Sequence, residues 1–206
     1  EAFHRKILRL FTSLSANGYK IPMKNAISVD VEEYYHAANL EPVAGPAKWH
    51  SLPKRTKAST EQILDMFDAA KVRATFFILG CVAARSPELV RNISRRGHEI
   101  ASHGYAHRIA YEQTPRQFAR DVRRAKLLLE DLSGTEVQGY RAPSFSITDK
   151  NPWAYDALIA AGYRYDSSLY PVNHPRYGNA SKSLLPFFIK REMGSLLILP
   201  LAVSPL

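Results

Sequence analysis

Ala74-Thr75-Phe76-Phe77-Ile78-Leu79 is the stretch of this sequence that decides the fold. Its side chains are almost uniformly apolar and do not alternate with polar ones, which is typical of a strand with both faces buried. Such strands lie in parallel sheets covered by helices, so the segment predicts an α/β protein.

Strand-like and helix-like segments alternate on either side of this stretch. Further strands are predicted at 26–31, 98–101, 137–140, 163–165 and 196–199. Helices are predicted from Ser59, where Gln62 completes a capping box, from Ser86-Pro87 to Gly97, from Thr114-Pro115 to Gly134, and over 152–161. Alternation of this kind predicts a parallel sheet or barrel with crossover helices.

Composition narrows the class of protein. The chain has 206 residues, of which 46% are hydrophobic, enough for one sizeable core. Its single cysteine, Cys81, excludes an internal disulfide and a cysteine-based zinc site, and we interpret it as a buried apolar thiol. No apolar run reaches the roughly 18 residues of a transmembrane segment. The net charge is +9, and the Lys and Arg residues are scattered along the chain, which favours a generally basic surface over a nucleic-acid partner. The sequence does not indicate a cellular compartment.

Ionisable side chains come at or just past the ends of four predicted strands: Asp30 and Glu32, His103 and His107, Arg141, and Asp166. The carboxyl ends of parallel barrel strands share one face, so we expect these groups to meet. Two imidazoles and a carboxylate are suitable ligands for a hydrolytic metal ion, and a second carboxylate can move a proton.

Each of these residues also has a structural interpretation. His103 and His107 alone would fit surface polar residues. Asp30 and Glu32 share one face of a strand, and two like charges there favour a nearby cation. Glu33 is predicted on the opposite side, in solvent.

Other interpretations stay open at this point. Arg141 fits a partner for an ionised carboxylate better than a surface arginine. Asp166 fits either the site or a plain helix N-cap. Tyr34 and Tyr35 fit a sugar cleft and simple packing equally well.

The ordered motifs resemble those of the polysaccharide deacetylase family of carbohydrate esterases, the nodulation-deacetylase homology group. The similarity covers about residues 24–201 and is closest to the type found in exopolysaccharide loci linked to exosortase sorting. The motifs are Asp-Val-Glu at 30–32, Ser-His-Gly-Tyr-Ala-His at 102–107, Arg-Ala-Pro-Ser-Phe at 141–145 and Tyr-Asp-Ser-Ser at 165–168.

This resemblance implies a distorted (β/α) barrel and a divalent metal, most often zinc. The implied metal ligands are Glu32, His103 and His107. The leading carboxylate, Asp30, corresponds to the general base, and Arg141 to the residue that orients it.

The remaining roles follow from the same resemblance. The backbone N–H of Ser144 corresponds to an oxyanion donor, and Asp166 to the partner of a catalytic histidine. We assign substrate binding to three aromatic residues, Tyr34, Tyr35 and Phe145.

We therefore expect a metal-dependent hydrolase that removes N-acetyl groups from amino sugars of a polysaccharide or oligosaccharide. The alternatives are a carbohydrate-binding pseudoenzyme of the same fold and, by analogy with allantoinase-like proteins, a hydrolase of another non-peptide C–N bond. The family's late Leu-x-His motif is missing before Leu206, so we expect a catalytic domain, 23–206, truncated at its C-terminus. Residues 1–22 are interpreted as a basic extension or leader, with the natural start near Met23.

Overall fold

The computed structural model describes residues 26–37, 40–174, 177–178 and 183–203. Seven strands form one sheet in the order β1-β2-β3-β4-β5-β7-β6. Their bounds are β1 Ser28–Val31, β2 Thr75–Ile78, β3 Glu99–Ser102, β4 Gly139–Tyr140, β5 Tyr165–Asp166, β6 Phe187–Arg191 and β7 Gly194–Ile198.

Helices connect most of these strands. They are α1 Glu41–Ala44, α2 Thr56–Ala69, α3 Gly80–Arg85, α4 Pro87–Arg95, α5 Pro115–Ser133 and α6 Trp153–Ala160. Short 3-10 turns lie at Tyr34–His36, Pro46–Lys48, Ala110–Glu112 and Pro143–Phe145. Among the described residues, no helix is both long and apolar enough to cross a bilayer.

The predicted α/β architecture with a mostly parallel sheet is confirmed. Strands β1 to β5 and β7 pair in parallel, and β6 is antiparallel to β7. Within the described ranges the sheet is open, with β1 and β6 at its two edges, so the expected barrel is not closed.

Both faces of β2 are buried, as its apolar sequence predicts. Phe76 and Ile78 lie in the main core with the helices. Phe77 points to the other face, where it joins a second cluster with Tyr165 and Leu197. The partly buried thiol of Cys81, at the start of α3, packs against the main core.

The ends of α5 follow the sequence prediction. The Thr114 hydroxyl accepts a hydrogen bond from the Gln117 N–H at 3.3 Å, and the Gln117 side chain accepts from the Thr114 N–H at 2.9 Å. Gly134 ends the helix in the left-handed conformation, with φ of 67°. This capping box and C-terminal glycine set the two ends of α5, which packs against β3.

The predicted start of α2 at Ser59 is wrong, because the helix begins at Thr56. The carboxylate of Glu33 accepts hydrogen bonds from the N–H groups of Arg55 and Thr56, at 2.9 and 3.3 Å. A distant side chain therefore caps the helix in place of a local one. The prediction that Glu33 is solvated is also wrong, since this residue is 3% exposed.

The predictions for residues 1–22 and Met23 lie outside the described residues. Two helices and one strand within the described ranges were missed: α1, α3, which follows β2 without a loop, and β6, which forms a hairpin with β7.

Candidate metal centre

Glu32, His103 and His107 converge at the carboxyl ends of β1 and β3. Each offers one ligand atom, and these atoms lie within 4.8 Å of one another. The parallel register aligns the two strands through β2, so residues that follow their ends meet on one face. The predicted ligand set is thus brought together.

Glu32 and His107 make the closest contact in this group. Oε2 of Glu32 lies 2.8 Å from Nε2 of His107. This buried oxygen has no partner with hydrogen-bond geometry among the described residues. Burial on its own would raise the pKa of Glu32, but contact with His107 and the charge of His103 bring the pKa below its ordinary value. An ionised, unbonded oxygen beside an imidazole nitrogen fits a divalent cation.

His103 is held as a neutral imidazole. Its Nδ1 donates a hydrogen bond to the backbone carbonyl of Arg141 at 2.9 Å, which leaves Nε2 free of its proton. The ring is 2% exposed, and burial lowers its pKa. A backbone carbonyl on the second ring nitrogen is the usual way to orient a metal-binding histidine.

The loop between the two histidines is anchored on the neighbouring helices. The N–H groups of Gly80 and Cys81 donate to the carbonyls of Gly104 and Tyr105, at 2.9 and 2.8 Å. The carboxylate of Asp121 on α5 accepts from the Tyr105 N–H at 2.8 Å. These bonds hold the loop from both sides.

Close packing explains both glycines next to this loop. A Cβ at Gly80 would lie 2.4 Å from the Tyr105 ring. Gly104 has φ of 76°, and a Cβ there would lie 3.0 Å from the Asp121 carboxylate. His107 itself adopts the left-handed conformation with φ of 53°, which its surroundings must maintain.

Asp30 and Arg141 form an ion pair beside the three ligands. Nη1 of Arg141 donates to Oδ1 of Asp30 at 2.7 Å. The guanidinium also donates to the Ser28 hydroxyl and to the carbonyl and hydroxyl of Ser167, at 3.0, 3.2 and 3.1 Å. It lies over the Phe77 ring, 4.0 Å from its centroid. Arg141 is therefore held by four hydrogen bonds, one of them to the Asp30 carboxylate, which places it beside the carboxylate partner that its sequence position suggested.

Asp166 is fully buried in β5, so the helix N-cap alternative is wrong. Its carboxylate accepts hydrogen bonds from the hydroxyl and the N–H of Ser168. The same hydroxyl accepts from the Ala142 N–H at 2.7 Å, which ties Asp166 to the segment after Arg141. Burial raises the pKa of Asp166 to about 7.

Ser144 and Phe145 share the turn that follows Arg141. Both have left-handed backbone conformations, with φ of 51° and 53°. The Phe145 ring contacts Tyr170 and Tyr177, with centroids 5.4 and 5.8 Å apart. Tyr177 in turn stacks on His174 at 3.8 Å. We call Phe145, Tyr170, His174 and Tyr177 the aromatic cluster.

The two tyrosines after Glu33 differ in their surroundings. Tyr34 is 40% exposed, whereas Tyr35 is 1% exposed and packs against His36 and Trp49. For Tyr35 the structure therefore favours packing, and its assignment to substrate binding is corrected, because the ring is enclosed. Tyr34 keeps a face in solvent.

Three residues near the site were missed by the sequence analysis: His36, Asp121, and Glu33 in its capping role. Burial lowers the pKa of His36 to about 4, with the neighbouring His107 acting in the same direction. Its position four residues after Glu32 was the available signal. Asp121 lies on the inner side of a helix otherwise rich in arginine, and nothing in its local sequence points to the loop.

Comparisons with known proteins bear on this site. The polysaccharide deacetylase family model matches residues 47–165. The matched range holds His103, His107 and Arg141, while Asp30 and Glu32 precede it. Glu32, which completes the candidate ligand set, thus lies outside the matched range.

Curated relatives match shorter parts of the chain. A peptidoglycan-N-acetylglucosamine deacetylase from Bacillus cereus is 34% identical over 105 residues, 51% of this chain and 47% of that protein. A chitooligosaccharide deacetylase from Bradyrhizobium is 42% identical over 48 residues, 23% of this chain and 22% of that protein. The matches span less than half the length of these relatives.

Solved structures share the fold. A polysaccharide deacetylase structure from Mycobacterium smegmatis superposes with a TM-score of 0.65 at 28% identity, covering 86% of this chain and 58% of that one. The allantoinase Puue superposes with a TM-score of 0.56 at 24% identity, covering 70% and 43%. The Glu32, His103 and His107 group agrees with the divalent-metal dependence of the deacetylase family. With a family match over more than half of its length, the chain belongs to the polysaccharide deacetylase family.

Proposed function

We propose that this chain is the catalytic part of a zinc-dependent N-deacetylase acting on amino sugars of a polysaccharide. The observation that carries the proposal is the convergence of Glu32, His103 and His107 beside an oriented carboxylate, Asp30. Two imidazoles and one carboxylate with an open fourth position form a typical catalytic zinc set.

The residues divide the chemistry among them. A cation bound by the three ligands would supply Lewis-acid polarisation of the acetyl carbonyl. Asp30 accepts a proton from the attacking water, and Arg141 keeps that carboxylate in one orientation. The N–H of Ser144 donates to the developing oxyanion. The proton taken up by Asp30 then passes to the leaving nitrogen as the amide C–N bond breaks, which gives acetate and a free amine on the sugar.

The aromatic cluster and Tyr34 are the proposed substrate-binding surface. Phe145 directly follows Ser144, so the aromatic cluster lies next to the proposed oxyanion donor. Partly exposed aromatic rings offer apolar faces to a ligand that also needs polar contacts. The resemblance to the exopolysaccharide-locus type favours an N-acetylated exopolysaccharide, and the curated relatives include deacetylases of peptidoglycan and of chitooligosaccharides.

Acetate release from N-acetylglucosamine oligomers tests the proposal. We expect release by the zinc-loaded protein, loss of release with a chelator, and a drop of about 100-fold or more in Asp30→Asn. His98→Asn, a substitution in a buried histidine before β3, serves as the control and should retain activity. Oligosaccharide binding with no acetate release would contradict the proposal and support the pseudoenzyme alternative.

A further inference from the structure

His36 lies in the turn after β1 with its ring against the metal ligand His107. The two ring centroids are 5.4 Å apart and the ring planes differ by 15°, so the rings stack. His36 is 3% exposed, so the ring is enclosed by the protein. The backbone of His107 is left-handed, a conformation that the surrounding structure must maintain, and the His36 ring is part of those surroundings.

The His36 ring is itself fixed by two contacts. Its Nδ1 accepts a hydrogen bond from the Glu33 N–H at 3.2 Å. Trp49 packs edge-on against it, with centroids 4.5 Å apart, and the Trp49 indole N–H donates to the Ala44 carbonyl at 2.9 Å. These contacts fix the His36 ring relative to the segment after β1 and, through Trp49, relative to α1.

His36 does not belong to the candidate ligand set. Among the described residues, the group whose ligand atoms lie within 4.8 Å of one another consists of Glu32, His103 and His107. Nδ1 of His36 already accepts a backbone N–H, so the ring proton sits on Nε2. The contact with Glu32 Oε2, at 3.9 Å, is too long for a hydrogen bond.

We propose that His36 is a positioning residue that holds the His107 ring with Nε2 directed at Glu32. This inference rests on the proposed metal site. The stacked ring limits rotation of His107 about its side-chain bonds, so the ligand is pre-oriented before the ion arrives.

Two substitutions separate the ring from its hydrogen bond. His36→Asn keeps an acceptor near Nδ1 and removes the stacked ring. His36→Phe keeps a ring and removes the acceptor. We expect the asparagine variant to bind zinc about 10-fold or more weakly, and the phenylalanine variant to stay within about threefold of wild type.

The protein contains a matched control in His98. This histidine is also buried, its Nδ1 accepts the Ala74 N–H at 3.2 Å, and its ring packs edge-on against Phe76. It lies before β3, at the opposite end of that strand from His103. His98→Asn should cost stability in the same way while leaving zinc affinity within about twofold of wild type.

Zinc affinity is measured by chelator competition, and the absorption bands of the Co²⁺-loaded protein report ligand geometry independently of activity. Wild-type zinc affinity in His36→Asn, an equal loss in His98→Asn, or an equal loss in His36→Phe would overturn the inference. Failure of the wild-type protein to bind zinc would instead contradict the proposed function. If His36→Asn is unfolded by thermal melting, His36→Gln, which also lacks a ring, takes its place under the same criteria.

Discussion

Replacing Arg141 by methionine should destabilise the protein and disable the proposed general base together. The substitution keeps an unbranched chain over Phe77 but removes all four hydrogen bonds of the guanidinium. Asp30 is then left without its cationic partner at the end of β1.

The magnitude follows from the burial of the pair. Breaking a buried ion pair by removing one partner costs about 3–5 kcal/mol. The Arg141 side chain is 7% exposed, but that of Asp30 is 26% exposed, so water can partly replace the lost partner. We therefore expect a loss of about 2–3 kcal/mol in the free energy of unfolding. Arg141→Lys keeps a charge near Asp30 and should lose about 1–2 kcal/mol.

Urea unfolding at constant pH measures these losses, with Arg191→Met as the control. Arg191 makes a two-point ion pair with Asp156, at 2.7 and 2.5 Å, but both side chains are about one-third exposed. That substitution should cost under about 1 kcal/mol. The reasoning is refuted if Arg141→Met costs no more than the Arg191 control.

Three further predictions concern neighbouring carboxylates. Glu33→Gln weakens the cap of α2 and should lower the free energy of unfolding in urea by about 1–2 kcal/mol; an unchanged midpoint would exclude the capping role. Burial raises the pKa of Asp166 to about 7, so the unfolded chain releases this proton first and stability falls as the pH rises from about 4 to 7. As the pH rises through that range, the free energy of unfolding of Asp166→Asn should increase relative to that of wild type, by about 4 kcal/mol at most. Parallel curves of unfolding free energy against pH for the two proteins would contradict the assignment. Asp121→Ala removes the acceptor of the Tyr105 N–H and should weaken zinc binding about 10-fold by chelator competition; wild-type affinity would show that the loop needs no such anchor.

Local patterns in the sequence were sufficient for most of the fold. The unbroken apolar run of β2 and the Thr114–Gly134 signals of α5 each depend on nearby residues, and both predictions are confirmed. The convergence of Glu32 with the two histidines was also predictable, because parallel strands place their ends on one face.

Long-range contacts account for the misses. Ser59 has a good local capping sequence, yet α2 begins earlier because Glu33, which is remote in the sequence, supplies a charged cap. Solvent exposure of Glu33 was predicted from strand alternation, which ends where β1 ends. His36 lies four residues after Glu32, but its stacking on His107 could not be predicted, because that ring approaches from the loop after β3.

The most direct test of the metal centre is anomalous diffraction at the zinc edge from crystals of the zinc-loaded protein. The account predicts a single strong peak within about 2.0–2.2 Å of Glu32, His103 and His107. A peak bound elsewhere, or the absence of any peak between these three side chains, would contradict it.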